Sequence, residues 1–552
     1  MPQMQLYKIA RLWLTRAAAC VVLLMGYILL AGDSKNLPVA SARLSSSPNV
    51  GGTLRLALPN DPQTLDPALV SLTADFELMP LLYLPLLDLT NGLALLNYAA
   101  ADWHSSPDAR TFTFHLRPEI RFSNGRPVVA ADYAYALERI ADPRVGSASL
   151  IGLAGIRRAT DLATNQTNRL AGVRCEGLHT LVVELDQPDP IFQYLMANAV
   201  GVAVPPEEVQ RLGSGFGIRP VGTNPYQVEE WVRGVRLVFK PNPYYSGPER
   251  RRFERIEIMI GGDEATHLMM FERGALDIAS ISGMGIPMPD QRRLMQDPRW
   301  SPFIERSWIL GTYFVVLNTE MPPLDNLKLR QAISYAVDKS RRLHITNGRF
   351  TPAKGFIPPG MPGYNTNLVG HPYNPTRARE LLAESGVAAP IKLSFWHSTG
   401  QEDVTLAQGI QADLQAVGIQ TELKQVTSGQ LVNASTIRKE VQMTLLCWTA
   451  ANPDPKEFAC LFDGRTLTNT PTSNVAWYTN TVVDQWLDKA ATAVDLVDRY
   501  RLYGKIEEIV VGEAPYVFLG HPNLFALRQP WLKGSLIEPL CVYRFDRVWI
   551  ER

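Results

Sequence analysis

The stretch YFVVLNTEMPPLDNLKLRQAISYAVDK, from Tyr313 to Lys339, joins a strand, a proline turn and an amphipathic helix. Its two consecutive prolines carry no N–H for a sheet ladder, so the strand ends before them. Asp325 or Asn326 is placed to cap a helix. The apolar residues that follow recur at helical spacing, at Leu329, Ile333, Ala336 and Val337. The pattern predicts a strand followed by a helix with one buried face.

Further patterned segments lie on both sides of this stretch. GGTLRLALPNDPQTLDPA from Gly51 begins with an alternating strand, and FHLRPEIRFSNGRPVVAADYAYALERI from Phe114 contains a strand, an Asn-Gly turn and a helix near 132–141. VGTNPYQVEEW from Val221 predicts another strand. Residues 256–279 predict a strand, a helix and a second strand, with FERGALDI from Phe271 between the last two. Alternating strands and helices favour an α/β architecture.

Taken together in this order, these segments resemble the extracytoplasmic solute-binding proteins of family 5, the oligopeptide class served by ABC importers. The resemblance covers 51–552. It implies an α/β, two-lobed, periplasmic-binding-protein-like fold of type II (Venus flytrap), with an extra subdomain at about 70–190. Lobe one would span 51–310 and lobe two 311–520, and residues 521–552 would return to lobe one.

The N-terminus indicates export. Lys8, Arg11 and Arg16 precede an apolar run, AAACVVLLMGYILLAG, from Ala17 to Gly32. A cleaved signal peptide and a retained membrane anchor over 12–32 both remain open, with 1–42 as the targeting segment and linker. Either way the body would lie in the periplasm or at the outer face of the cytoplasmic membrane.

Composition and motifs argue against several classes of function. The chain has 552 residues, with 54 Lys and Arg balancing 54 Asp and Glu, so no excess positive charge favours nucleic acid. Its eight histidines are scattered without an H-E-x-x-H motif, so we expect no metal, no cofactor and no catalytic residue. An exported hydrolase is a minor alternative. The glycine-rich segment 213–217 is interpreted as a flexible surface turn, since no Lys-Ser/Thr follows it.

Four cysteines follow the apolar run, at 175, 447, 460 and 541. None forms a C-x-x-C pair. A disulfide between Cys447 and Cys460 would close a short loop in an oxidising compartment, and separately buried thiols are the alternative.

The segment MTLLCWTAANPDPKEFACLF, from Met443 to Phe462, is the most informative for ligand binding. A strand leads to Trp448 and a proline-rich loop, and open α/β lobes hold ligands at such strand ends. Trp448 is therefore the first candidate for a ligand contact, and a tryptophan that fills space in the hydrophobic core is the alternative. In peptide-binding relatives this segment reads Trp-x-x-Asp, and the Asp accepts hydrogen bonds from the ligand ammonium; the resemblance places Ala451 there. Asn452 shares the loop, and Asp454 is either a substitute acid or a solvated turn residue.

Four further contact candidates follow from the resemblance. Ser71 and Thr73 fall after the TLDP segment, where relatives contact an extended ligand. Tyr135 matches an aromatic facing the cleft, and Tyr313 lies beside the expected hinge. Each tyrosine is equally compatible with ordinary packing.

The resemblance implies a monomeric, non-enzymatic receptor. It would bind a peptide-like ligand and deliver it to an ABC transporter permease by hinge closure. The alternative is a membrane-anchored sensor or scaffold on the same fold that does not bind free-amine peptides, and Ala451 favours it.

Overall fold

A computed structural model describes residues 51–551, except 72, 91–92, 165, 168, 248–251, 282–284, 342–345, 469–471 and 538–542. The described residues divide into two compact units. One, the continuous unit, comprises 308–523; the other, the discontinuous unit, comprises 51–307 and 524–551. The α/β class expected from the sequence is confirmed.

The continuous unit is built on a mixed sheet. Its first strand is Tyr516–Leu527, of which residues 516–523 belong to this unit. The strands that follow in the sheet are, in order, Gly311–Leu317, Met443–Thr449, Ile391–Ser398 and Ile419–Val426, and Phe350–Pro352 pairs with the first. Ile391–Ser398 is parallel to both of its neighbours, whereas Gly311–Leu317 is antiparallel to both of its own. The parallel pairs need crossovers, which the helices Gln401–Ala416 and Ser428–Ser435 supply.

The helix predicted after the proline turn spans Leu327–Ala336. Asn326 caps it, because its side-chain oxygen accepts a hydrogen bond from the N–H of Leu329 at 3.1 Å. Its predicted apolar face is buried in the core of the unit. The other helices of the continuous unit are Pro375–Ser385, Lys456–Ala459, Thr481–Thr492 and Leu496–Glu513, with 3-10 turns at Cys460–Phe462 and Gly464–Thr468.

The discontinuous unit contains two four-stranded sheets. The first has the order Thr53–Leu58, Arg255–Ile260, Arg236–Pro241 and Tyr226–Val232. The second has the order Ala100–Ser105, Thr111–Leu116, Thr180–Glu184 and Val173–Cys175. On the strand Thr111–Leu116 the predicted inward residues 112, 114 and 116 are buried. They belong to a separate core formed by residues between 68 and 203.

The helices of this unit are Thr73–Leu82, Ala130–Ala141, Ala159–Ala163, Pro206–Leu212, Glu264–Glu272 and Met288–Gln296. Short strands lie at Leu87–Leu89, Leu95–Asn97, Leu532–Gly534 and Val548–Ile550, with Ile304–Trp308 at the end of its first segment. Its 3-10 turns are Ala148–Leu153, Phe192–Ala197, Ala199–Gly201, Gly213–Gly217, Ser301–Phe303 and Phe545–Arg547.

One local prediction in this unit is wrong and another holds only in part. Residues 276–279 form no regular strand; Ile278 makes only a single bridge to Arg528. The glycine-rich segment 213–217 forms a 3-10 helix that lies at the surface only at its start, since Gly213 and Ser214 are exposed and Phe216 and Gly217 are buried. The carbonyl of Gly217 accepts a hydrogen bond from the N–H of Leu65 at 2.7 Å, which ties this segment to the TLDP stretch.

The chain changes units between Ser307 and Trp308 and again between Asn523 and Leu524. The sequence predicts these changes at 310–311 and 520–521, three residues away in each case. The N-terminal targeting segment lies outside the described residues. Within the residues that are described, we find no helix with the length and apolar character of a membrane span.

Candidate functional site

Trp448 lies near the end of the strand Met443–Thr449. This strand pairs with Gly311–Leu317 in antiparallel orientation. In that pairing Trp448 lies opposite Thr312, and Cys447 lies opposite Tyr313. The Trp448 side chain is half-buried. Its indole N–H donates to the backbone carbonyl of Glu457 at 2.6 Å, which fixes the ring against the loop that follows. The residue therefore combines a fixed orientation with an accessible surface.

The loop then turns into the short helix Lys456–Ala459. Asp454 shapes this turn, because its carboxylate accepts from the N–H of Lys456 at 2.9 Å. The Asp454 N–H in turn donates to the carbonyl of Asn452 at 2.9 Å. The prolines on either side of Asp454 are buried with it. The loop is thus a packed element that holds its side chains in defined directions.

Asp454 is not a solvated turn acid. It is fully buried and forms a two-point ion pair with the fully buried Arg499, through Nε at 2.8 Å and Nη2 at 2.9 Å. Arg499 lies on the helix Leu496–Glu513 and donates also to the carbonyls of Ala490 and Ala491. The carboxylate of Asp454 is therefore engaged within the protein, and it anchors the loop to that helix.

A second acid occupies the region of Ala451. Glu457 accepts from the N–H of Ala451 at 3.2 Å through Oε2 and from the side-chain amide of Asn452 at 2.9 Å through Oε1. Ala451 is exposed, Glu457 is half-buried and Asn452 is buried. Burial raises the pKa of Glu457, and its hydrogen bonds with Asn452 and Ala451 oppose that rise. The sequence reasoning overlooked Glu457.

The suggested loop-closing disulfide is not formed. Cys447 and Cys460 both carry thiols. Burial raises the pKa of Cys460 to about 12, and the nearby Glu457 acts in the same direction. A thiol with such a pKa is unreactive near neutral pH. The alternative of four separately buried thiols holds only in part: Cys447 and Cys460 are half-buried, whereas Cys175 is exposed. Cys541 lies outside the described residues.

Tyr313 lies on the strand next to Trp448, in the continuous unit. It is half-buried and packs edge-on against Phe350, with the ring centroids 5.0 Å apart. It also contacts the hydrophobic core of this unit. Part of its surface is thus committed to packing.

The other three candidates belong to the discontinuous unit. Ser71 is half-buried, and its N–H donates to Asp75 at 3.4 Å, while Thr73 is the first residue of the helix Thr73–Leu82. Tyr135 is half-buried on the helix Ala130–Ala141, and burial raises its pKa.

An ion pair connects the TLDP segment to the helix that carries Tyr135. Both oxygens of Asp66 accept from Arg139, at 2.5 Å each, and Asp66 is 2 % exposed. Arg139 lies one turn after Tyr135, so its field lowers the phenol pKa while Asp66 raises it. This pair, absent from our sequence interpretation, joins segments 73 residues apart.

Comparison with known proteins defines the family. Residues 96–469 match the model of the bacterial extracellular solute-binding proteins, family 5. The chain belongs to this family. Its members bind solutes outside the cytoplasm, so the predicted class of function, a solute-binding protein, is confirmed.

Individual family 5 relatives match along nearly the whole chain. The glutathione-binding protein GsiB of Escherichia coli K12 is 26 % identical over 524 residues, covering 92 % of this chain and 97 % of its own. The probable D,D-dipeptide-binding periplasmic protein DdpA of Escherichia coli K12 is 27 % identical over 528 residues, covering 93 % and 95 %.

Solved structures share the two-lobed fold. The clavulanic acid biosynthesis oligopeptide binding protein 2 aligns with a TM-score of 0.84 at 24 % identity, covering 92 % of this chain and 96 % of its own. The murein tripeptide binding protein MppA of Escherichia coli gives a TM-score of 0.75 at 22 % identity, with coverages of 92 % and 99 %. The predicted fold class is therefore confirmed.

Proposed function

We propose that this family 5 protein binds a small peptide or peptide-like solute and delivers it to the permease of an ABC importer. The observation that carries the proposal is the full-length similarity to relatives named for glutathione and D,D-dipeptides. Both ligand types are short and carry amide and amine groups. A receptor of this kind needs binding groups and no reaction chemistry.

We propose two groups of ligand contacts. In the continuous unit they are Trp448, Ala451, Asn452 and Tyr313; in the discontinuous unit they are Ser71, Thr73 and Tyr135. The half-buried rings offer apolar surface, and the loop from Thr449 offers backbone and amide groups. Asp454 is left out because Arg499 engages its carboxylate.

The alternative, an anchored sensor or scaffold that does not bind free-amine peptides, rests on Ala451. This residue has no carboxylate for a ligand ammonium. Fractionation of cells that produce the full-length chain separates the two roles. Release into the periplasmic fraction supports a free receptor, whereas retention in carbonate-washed membranes supports the anchored form.

The direct test is native mass spectrometry of the full-length chain, exported by a bacterial host and purified without denaturation. We expect a bound mass in the range of a small peptide, which is released and identified on denaturation. An apo mass that stays unchanged after incubation with dipeptide and tripeptide libraries would contradict the proposal.

A further inference from the structure

Two acids lie in the loop that follows Trp448, and among the residues that the structure describes only Asp454 forms a direct ion pair. Asp454 is paired with Arg499 inside the continuous unit. Glu457 forms no ion pair with a lysine or arginine among the described residues. Its carboxylate instead contacts two neutral donors, the N–H of Ala451 and the amide of Asn452. The Glu457 carboxylate is therefore held by neutral donors alone, and the adjacent Lys456 acts on it only through its field.

The hydrogen-bonding capacity of this carboxylate is only partly used. An ionised carboxylate offers about four lone-pair positions, and the two neutral donors occupy two of them. Burial raises the pKa of Glu457, which shows that neighbouring atoms penalise its charge. Its partial exposure nevertheless leaves the side chain within reach of solvent. A cationic donor from a ligand would satisfy the free positions and offset the penalty.

Asn452 supplies an independent observation. Its side chain is 7 % exposed, and its amide oxygen is buried without a hydrogen-bond partner. The amide nitrogen must face Glu457, because a carboxylate accepts and does not donate, so the oxygen is the unpaired atom. An orphan buried acceptor costs stability unless a ligand donor reaches it. The open acceptor positions of Glu457 and of the Asn452 amide match a ligand group with several N–H donors.

The backbone holds these acceptors at the location where an acid is missing. The N–H of Ala451, the residue at the expected amine-binding position, points to Glu457 Oε2. Trp448 donates to the carbonyl of Glu457, which fixes the start of the short helix beside the ring. The carboxylate thus lies beside the backbone of Ala451, six positions earlier in the chain, and the backbone of the same glutamate lies beside the Trp448 ring.

We infer that Glu457, together with the amide oxygen of Asn452, accepts the hydrogen bonds of a cationic amine on the ligand, in place of the acid absent at Ala451. The inference rests on the proposed function and specifies its ligand as a free-amine peptide. It removes the main reason for the alternative sensor role.

The test uses the full-length protein with glutathione and with a library of free-amine dipeptides and tripeptides. The same library after N-acetylation serves as the uncharged counterpart. Calorimetry should give the wild type at least about ten-fold tighter binding of the free-amine forms. Glu457→Gln should remove that preference, because the amide keeps the size of the side chain but loses its charge. Glu422→Gln, at an exposed position of the same unit, is the matched control and should bind like the wild type.

A double variant that moves the carboxylate from position 457 to position 451 distinguishes a binding role of Glu457 from a structural one. Ala451→Asp combined with Glu457→Gln returns a carboxylate to the exposed position 451 and should restore the free-amine preference. Circular dichroism and thermal unfolding verify that each variant is folded.

The experiment distinguishes a failure of the Glu457 inference from a failure of the proposed function. A preference that persists in folded Glu457→Gln, or equal binding of free-amine and acetylated peptides by the wild type, would overturn the inference and leave the proposed function standing. Binding of neither library would overturn both.

Discussion

Asp454 and Arg499 form the most completely buried ion pair at the candidate site, with both side chains 0 % exposed. Removing one partner from such a pair leaves an uncompensated charge in the interior, which is more costly than the pair itself is stabilising. Arg499 would keep its two carbonyl acceptors but lose its carboxylate. The pair thus maintains the loop on which the proposed ligand contacts depend.

We expect Asp454→Asn to lower the free energy of unfolding by about 3–5 kcal/mol. Asp498→Asn removes an exposed ion pair with Arg501 on the same helix as Arg499 and should cost less than about 1 kcal/mol. Urea unfolding of both variants measures the difference. Equal losses would show that the buried pair has no special role in stability.

At the scale of single elements, the helix Leu327–Ala336 depends on its cap. Asn326 accepts from the N–H of Leu329, and its amide nitrogen donates to the carbonyl of Ser385 at 2.9 Å. Asn326→Ala should therefore cost about 1–2 kcal/mol in urea unfolding. Asn326→Ser keeps a cap acceptor and removes the contact with Ser385 without placing a negative charge there, so its loss should be smaller. The reverse order would refute the capping role.

The end of the helix Thr73–Leu82 packs closely against Gly222. The Leu82 carbonyl accepts from the N–H groups of Thr223 and Asn224, at 2.9 and 3.0 Å. A Cβ atom at Gly222 would lie 2.0 Å from that carbonyl oxygen, and because the atoms it meets are backbone atoms of Leu82, no side-chain rotation relieves the overlap.

We expect Gly222→Ala to destabilise the protein by about 2 kcal/mol or more. Gly155→Ala, where a Cβ atom meets nothing within 4 Å, is the control and should have little effect. Thermal unfolding of the two variants gives the comparison. A wild-type midpoint for Gly222→Ala would rule out the close packing.

At the scale of the whole molecule, buried titratable groups govern how stability depends on pH. Burial raises the pKa of Glu507 to about 8, even though the N–H of Ile357 donates to it at 2.7 Å. The folded protein then keeps a proton that the unfolded chain releases above its ordinary value near 4.5. This contribution to stability is complete below about pH 4.5 and is lost as the pH rises towards 8. His521 affects stability at lower pH, because burial lowers its pKa from 6.5 to about 4. As the pH falls through this range the unfolded chain binds a proton that the folded protein does not, so the folded state loses stability.

Glu507→Gln removes the titration of this group. The difference in unfolding free energy, variant minus wild type, should increase from pH 5 to pH 8 by on the order of 1.4 kcal/mol per pH unit. Urea unfolding across this range measures it, with Glu422→Gln, at an exposed position of the same unit, as control. A difference that is constant with pH would show that Glu507 is ionised throughout.

Much of the architecture was accessible from the sequence because the relevant forces act between near neighbours. The alternation at residues 112, 114 and 116 and the helical spacing after Asn326 identified the buried faces, and the proline turn identified the end of a strand. The order of such segments was enough to indicate the family. Residues 276–279 pair through a single bridge and form no regular strand, and the segment 213–217 gains a tertiary contact with Leu65. No local pattern reveals either outcome.

The sequence by itself determined the α/β class, the family and the loop that follows Trp448. Only the tertiary structure decided which acids of that loop are available. Asp454 is engaged by Arg499, 45 residues away, whereas Glu457 turns back towards Ala451. The physical reason is that the direction of a side chain in a loop depends on its backbone path and on distant partners. The residue types alone do not specify either of these.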